Sequence, residues 1–194
     1  MQYDFQDDME GAFKDYVDSW KELKKSYKIW QIAKLANVKN SKKMYGAEQA
    51  LAREKMRISF RLPWFLKSNI EVPVLYFKKA TLILFPDKIL VVNKIKAGAI
   101  NQEQVTLKIY EDAFIEHEIK PKDAEFIKYQ WEHPNKDGDP DKRFQNNRQL
   151  PIYKYAFIEI NSPEGINEMI MSTNNKICNR LSESYNAYRN SVTY

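Results

Sequence analysis

The stretch from His133 to Leu150 gathers acids, bases and amides with almost no core-forming side chains. It is long for a connection in a compact domain, and long ordered loops often carry binding groups. Lys142, Arg143, Asn146, Asn147 and Arg148 offer donors that can grip a phosphate or a partner's carboxylate, the guanidinium groups with two parallel bonds. Together with His133, Asn135, Lys136, Asp139 and Asp141 they form the candidate binding surface. Asp137, Asp139 and Asp141 alternate as in a calcium loop, but glycine falls at Gly138 and Arg148 stands where the bidentate glutamate belongs, so no metal is expected there. The structural alternative is that Arg143 and Arg148 pair with Asp137, Asp139 or Asp141 while the amides tie down the loop backbone.

A second constellation has the outward form of a metal-dependent phosphodiesterase or nuclease. Pro86-Asp87 and, later, Glu118-Ile119-Lys120 supply two carboxylates for Mg²⁺ and a lysine beside an attacking water. Such short strings arise by chance, with Asp87 making a turn and Glu118 and Lys120 facing solvent, and the element order lacks the mixed sheet with flanking helices that this chemistry uses. His117 and His133 are the two histidines; Glu116 or Glu118 neighbours the first and Glu132 the second, but adjacent strand residues point to opposite faces. Neither G-x-S-x-G, G-x-G-x-x-G nor G-K-[ST] occurs, so no cofactor is expected and nucleotide hydrolysis finds no support. Trp64 and Trp131 either stack on a ligand or fill a core.

The elements that must hold these groups fall into two textures. Phe13, Tyr16, Trp20, Leu23, Tyr27 and Trp30 recur at spacings of three and four, which predicts a helix from Met9 to about Val38. So aromatic a seam fits a parallel coiled coil poorly and packs on the body of the protein or in a homodimer contact. A shorter helix is expected over Gly46 to Lys55. Beyond Met56 lie all eight prolines, with β-branched and aromatic runs between them. Leu82 to Phe85 and Ile89 to Val92 predict a hairpin about Pro86-Asp87-Lys88. Val105 to Tyr110, Ala113 to Glu118 and Glu125 to Trp131 are further strands, and Ile152 to Ile160 with Ile166 to Met171 predict a second hairpin. A last helix, capped by Asn174 or Asn175, carries Ile177, Leu181, Tyr185, Tyr188 and Val192 on one face.

Composition bounds the reading. Of 194 residues 43% are hydrophobic and 13% aromatic, enough for a packed core. The single Cys178 excludes an internal disulfide and fits a reducing, cytoplasmic setting. No apolar run is long enough for a membrane span, and the first ten residues are acidic. Of the net charge of +5, residues 1–20 carry about −5, 21–61 about +9 and 62–194 about +1. Lys21, Lys24, Lys25, Lys28, Lys34, Lys39, Lys42, Lys43, Arg53, Lys55, Arg57 and Arg61 thus make an electrostatic footprint for nucleic acid or an anionic membrane surface, or else a solvated face.

The order of about seven antiparallel strands closed by a C-terminal helix resembles the pleckstrin-homology-like fold. The stretch from Val72 through Phe85-Pro86-Asp87-Lys88-Ile89-Leu90 to Gly98-Ala99, and the run from Asn135 to Pro151, resemble segments of an uncharacterised bacterial protein family. The resemblance covers residues 56–192 and implies binding of lipid headgroups or protein segments, although the Phe85 to Lys88 turn lacks the Lys and Arg pair of a phosphoinositide cradle. The sequence therefore predicts an α+β chain: an N-terminal helical extension, 1–55, and an antiparallel barrel or sandwich with its helix, 56–194. Its expected role is a non-catalytic binding or adaptor module for a protein or an anionic ligand at the 133–150 loop.

Overall fold

The computed structural model describes residues 1–5, 7–32 and 53–192. It is an α+β arrangement of two helices and two antiparallel sheets. Helix α1 spans Asp7–Lys24 and α2 spans Ile177–Val192. The first sheet has the order β2 (Arg53–Lys55), β1 (Ile29–Ile32), β11 (Asn167–Ser172), β10 (Gln149–Asn161), β8 (Thr106–Ile115), and β9 (Glu125–Trp131) also pairs with β10. The second runs β3 (Arg57–Ser59), β4 (Val74–Tyr76), β5 (Thr81–Leu84), β6 (Lys88–Val92), β7 (Ala97–Asn101). Met56 alone separates β2 from β3, so the chain changes sheets within one residue.

The seam of α1 holds for about three turns and then stops. Phe13, Tyr16, Val17, Trp20 and Leu23 are buried, but the helix ends at Lys24 instead of continuing to Val38. Lys25 and Ser26 N–H groups close tight turns onto the Glu22 and Leu23 carbonyls. Tyr27 N–H then donates to the Asp123 carboxylate at 2.7 Å, and Lys28 N–H to Thr173 Oγ1 at 3.1 Å. Those partners draw the chain against β11, where Trp30 pairs with Met171 as a strand residue and Tyr27 is left exposed. Of the second expected helix, residues 46–52 lie outside the described residues, and Arg53–Lys55 is strand β2.

Beyond Met56 the expected antiparallel order is present, with differences that have local causes. The β5–β6 hairpin pairs Leu84 with Ile89, and Phe85 N–H donates to Lys88 O across the turn. The β10–β11 hairpin turns at Gly165, whose φ of +110° suits a residue without a Cβ. The two strands expected over Val105 to Tyr110 and Ala113 to Glu118 are one strand, β8, because β10 is long enough to pair with it continuously from Thr106 to Ile115. The Asn175 side chain does not cap α2; it accepts from Glu125 N–H and donates to Glu111 and Glu125. The described strands number eleven, not about seven, and the two sheets do not close into a barrel.

Alternation along β10 separates two apolar layers. Ala156, Ile158 and Ile160 join a large core with both helices and the second sheet. Within it Tyr16 stacks on Tyr188 with ring centroids 5.2 Å apart, and Phe13 meets Tyr188 edge to face at 5.4 Å. The aromatic seam of α1 is thus taken up inside its own chain, each fully buried apolar side chain such as Leu23 contributing about 1.5–3 kcal/mol. Tyr153, Tyr155 and Phe157 point the other way, into a smaller layer with Ile32 and Met171. Among the described residues no helix is long and apolar enough to cross a membrane.

Candidate binding surface on the β9–β10 hairpin

The predicted loop is the tip of the β9–β10 hairpin, which zips from Lys154 opposite Glu125 to Gln149 opposite Trp131. Past that point the loop is held by backbone bonds and by its own side chains. Glu132 N–H donates to Arg148 O at 2.8 Å, Asp141 N–H to His133 O at 3.0 Å, and Pro134 bridges to Pro140. Asn135 Oδ1 accepts from the N–H groups of Asp137 and Asp139, both at 2.9 Å. Asn147 binds His133 twice, accepting from its N–H at 3.0 Å and donating to its carbonyl at 2.7 Å. Gly138 takes φ +93° at the apex, and the His133 ring stacks on Phe144 with centroids 3.9 Å apart.

The charged groups divide into paired and open ones. Arg143 Nε donates to both Asp141 oxygens at 3.0 Å, and this hydrogen bonding with the Arg143 backbone N–H holds the Asp141 carboxyl down to about 2. Arg148 Nε donates to Glu132 at 2.9 Å, and that bond lowers the Glu132 carboxyl. Arg148 therefore pairs with Glu132, which the sequence reading did not consider, and not with Asp137, Asp139 or Asp141. His117 Nδ1 approaches the other Glu132 oxygen at 3.9 Å. Lys136, Asp139, Lys142 and Asn146 are exposed, and among the described residues their side chains have no partner. The structure thus brings the ten predicted residues into one loop, but gives Asn135, Asn147, Arg143, Asp141 and Arg148 work in shaping it.

Strand β9 beside the loop escaped the sequence reading as a site. Where Ile152 faces Lys128 and Tyr153 faces Phe126, Ile127 is an extra residue, a bulge. The bulge shifts the alternation so that Phe126, opposite Tyr153, and Tyr129, opposite Pro151, share one face, with rings 5.0 Å apart. Phe126, Ile127 and Tyr129 are all exposed. Their rings continue into the covered row of Tyr153 and Tyr155. Because β8 and β9 both pair with β10 over Ile152–Lys154, they occupy its opposite edges, and among the described residues the outer edge of β9 pairs with no strand. The sequence signal was the spacing of Phe126 and Tyr129, three apart instead of two.

The two carboxylates of the phosphodiesterase reading are engaged in different places. Asp87, in the turn between β5 and β6, accepts from the Tyr3 hydroxyl at 2.6 Å and pairs with Lys88 at 2.6 Å. Glu118, beyond β8, pairs with Arg53 at 2.8 Å. Arg53 chiefly serves Glu116, whose side chain is wholly buried. The carboxylate accepts from both Arg53 nitrogens at 2.8 and 3.2 Å, from the Tyr155 hydroxyl at 2.7 Å and from Glu118 N–H at 2.9 Å. The guanidinium lies over the Trp30 and Phe114 rings at 4.8 and 5.4 Å. Every strong group in this cluster is satisfied from within, which makes it a clasp between β2 and the end of β8. Among the described residues no group of three His, Cys, Asp or Glu is placed to hold a metal ion.

Of the basic stretch, Lys34, Lys39, Lys42 and Lys43 lie outside the described residues. Lys21 pairs with Asp18 and Glu71, and Arg57 lies 4.2 Å over the Tyr76 ring. Trp131 is half-buried, whereas Trp64 is almost wholly exposed. The chain matches no protein-family model, no curated protein and no solved structure.

Proposed function

We propose that the chain is a non-catalytic binding module, of pleckstrin-like layout, that receives an extended segment of a partner protein along β9 and fixes its register with the 133–150 loop. The observation that carries this reading is the open edge of β9 flanked by exposed Phe126, Ile127 and Tyr129. A free strand edge presents unmatched N–H and C=O groups that a partner strand can complete, and exposed apolar side chains beside it add area and side-chain selection. Natural edge strands blunt this hazard with charge or a bulge; β9 has both Lys128 and the Ile127 bulge, but the bulge also collects two exposed aromatics on one face.

The loop supports the reading through its pre-organisation. Its backbone is fixed by Asn135, Asn147 and the Arg143–Asp141 and Arg148–Glu132 pairs, so little ordering entropy remains to oppose contact. Lys136 and Lys142 remain open to a partner's carboxylates, and Asp139 and Asn146 to its donors. The loop is of mixed sign, so matched pairs would select the partner, not a long-range field.

The test is recovery of a specific partner from the cells that make the protein, with wild type compared against Phe126→Ser with Tyr129→Ser and, separately, Lys136→Glu with Lys142→Glu. Both double variants should lose the partner while thermal stability stays within a degree or two, because all four side chains are exposed. A partner retained by both would refute this surface.

A further inference from the structure

We propose that the connection between β3 and β4 lays the molecule on the surface of an anionic lipid bilayer. There the chain reads Leu62-Pro63-Trp64-Phe65-Leu66, with no polar side chain. Trp64 is 92% exposed and Phe65 52%, their rings meeting edge to face at 5.9 Å. Leu66 N–H donates to Pro63 O at 2.9 Å, so the tip closes on itself; Leu62 and Leu66 pack back against the core, and Trp64 and Phe65 are left exposed.

Cations stand at the base of this tip. Lys24 and Lys25 at the end of α1, Arg61 before the tip and Lys67 after it are exposed, and among the described residues no carboxylate pairs with any of them. The Lys24 ammonium lies 5.6 Å from the Phe60 ring, beside a groove that Lys25, Arg61 and Glu71 also line. Lys21 differs, being neutralised by Asp18 at 3.0 Å and Glu71 at 2.6 Å.

An apolar tip backed by cations suits a bilayer boundary. Trp and Phe rings enter the headgroup region while Lys and Arg stay level with the phosphates, and neither signal alone holds a protein firmly. Single-stranded nucleic acid could use the same cations, but its bases stack on rings set along a charged groove. Trp64 does not line the groove beside Lys24, and among the described residues its one ring partner is Phe65. The site lies on the second sheet, whereas the open edge of β9 belongs to the first, so the two proposals fail independently.

The experiment is co-sedimentation of the full chain with vesicles of phosphatidylcholine alone and of phosphatidylcholine with about one-third phosphatidylserine. Binding is expected to the mixed vesicles only, and to weaken as salt rises. Trp64→Ala with Phe65→Ala should lower it about tenfold or more, and Lys24→Glu with Lys25→Glu and Arg61→Glu should abolish it, each cation adding roughly fivefold. Both variants should melt as wild type does. The Phe126→Ser, Tyr129→Ser variant should sediment as wild type does, and its loss of binding would overturn the assignment to this loop. Absence of binding to mixed vesicles, undiminished binding after loss of Trp64 and Phe65, or Trp64-dependent capture of a single-stranded oligonucleotide in place of vesicles would each overturn it.

Discussion

Replacing Glu116 with leucine removes the acceptor on which the Arg53 clasp depends. The carboxylate is wholly buried, and its loss strands the Tyr155 hydroxyl, which is itself fully buried, and the Glu118 N–H. Arg53, only 9% exposed in its side chain, retains the exposed Glu118 at 2.8 Å but loses its bidentate partner. An unpaired buried donor costs about 1–3 kcal/mol, and breaking a buried ion pair from one side about 3–5 kcal/mol. The expected loss is about 3–5 kcal/mol, on the order of 10 °C in Tm for a chain of this size. Urea unfolding of Glu116→Leu, Arg53→Met and the double variant measures it, and the double variant should lose less than the two singles added together because neither charge is then abandoned. Burial pushes the Glu116 carboxyl up, but Arg53, the Glu118 N–H and Tyr155 outweigh it and hold the group below its ordinary value. The native state thus binds fewer protons than the unfolded one, so this stabilisation is full above the unfolded-state pKa and is lost as pH falls through the lower folded one. Glu116→Leu should flatten the acid limb of the stability profile. A loss below about 1 kcal/mol, or an unchanged acid limb, refutes the clasp.

Three further outcomes follow from single residues. Burial, reinforced by nearby Glu111, pushes the Cys178 thiol up to about 12, so a thiol reagent at neutral pH should label it only after denaturant is added; rapid native labelling would contradict its place in the core. Gly165→Ala should lose about 1–2 kcal/mol by calorimetry through its φ of +110° alone, since a Cβ there meets nothing within 4 Å. In a carbon-detected NMR titration Asp141 should titrate at about 2, and Arg143→Ala should return it toward the ordinary carboxylate range; no movement would separate Asp141 from Arg143.

What could be read from the sequence was what neighbours in the chain decide. The Pro86-Asp87-Lys88 turn, the extent of β9 and the buried face of α2 rest on local turn chemistry and periodicity, and the structure has all three. The end of α1 was hidden because what stops the helix is Asp123 and Thr173, far along the chain, while Tyr27 and Trp30 happen to continue its spacing. Strands as short as β3 and β4 carry too few residues for alternation to register, and β7, Ala97–Asn101, holds two alanines and a glycine in place of β-branched or aromatic residues. Glu116 read as an ordinary neighbour of His117, since its role depends on Arg53, whose partner choice no spacing encodes. The loop was conspicuous by composition, yet only coordinates distinguish Asn147, spent on His133, from the open Asn146.

The most direct test of the docking edge places a photo-crosslinking amino acid at Tyr129, and as a control at exposed Ile95 in the second sheet's β6–β7 turn, in the cells that make the protein. Irradiation should yield one defined adduct from position 129 and none from 95, with peptides of the partner mapping to an extended segment. Equal adducts from both positions, or none from 129, would contradict the account.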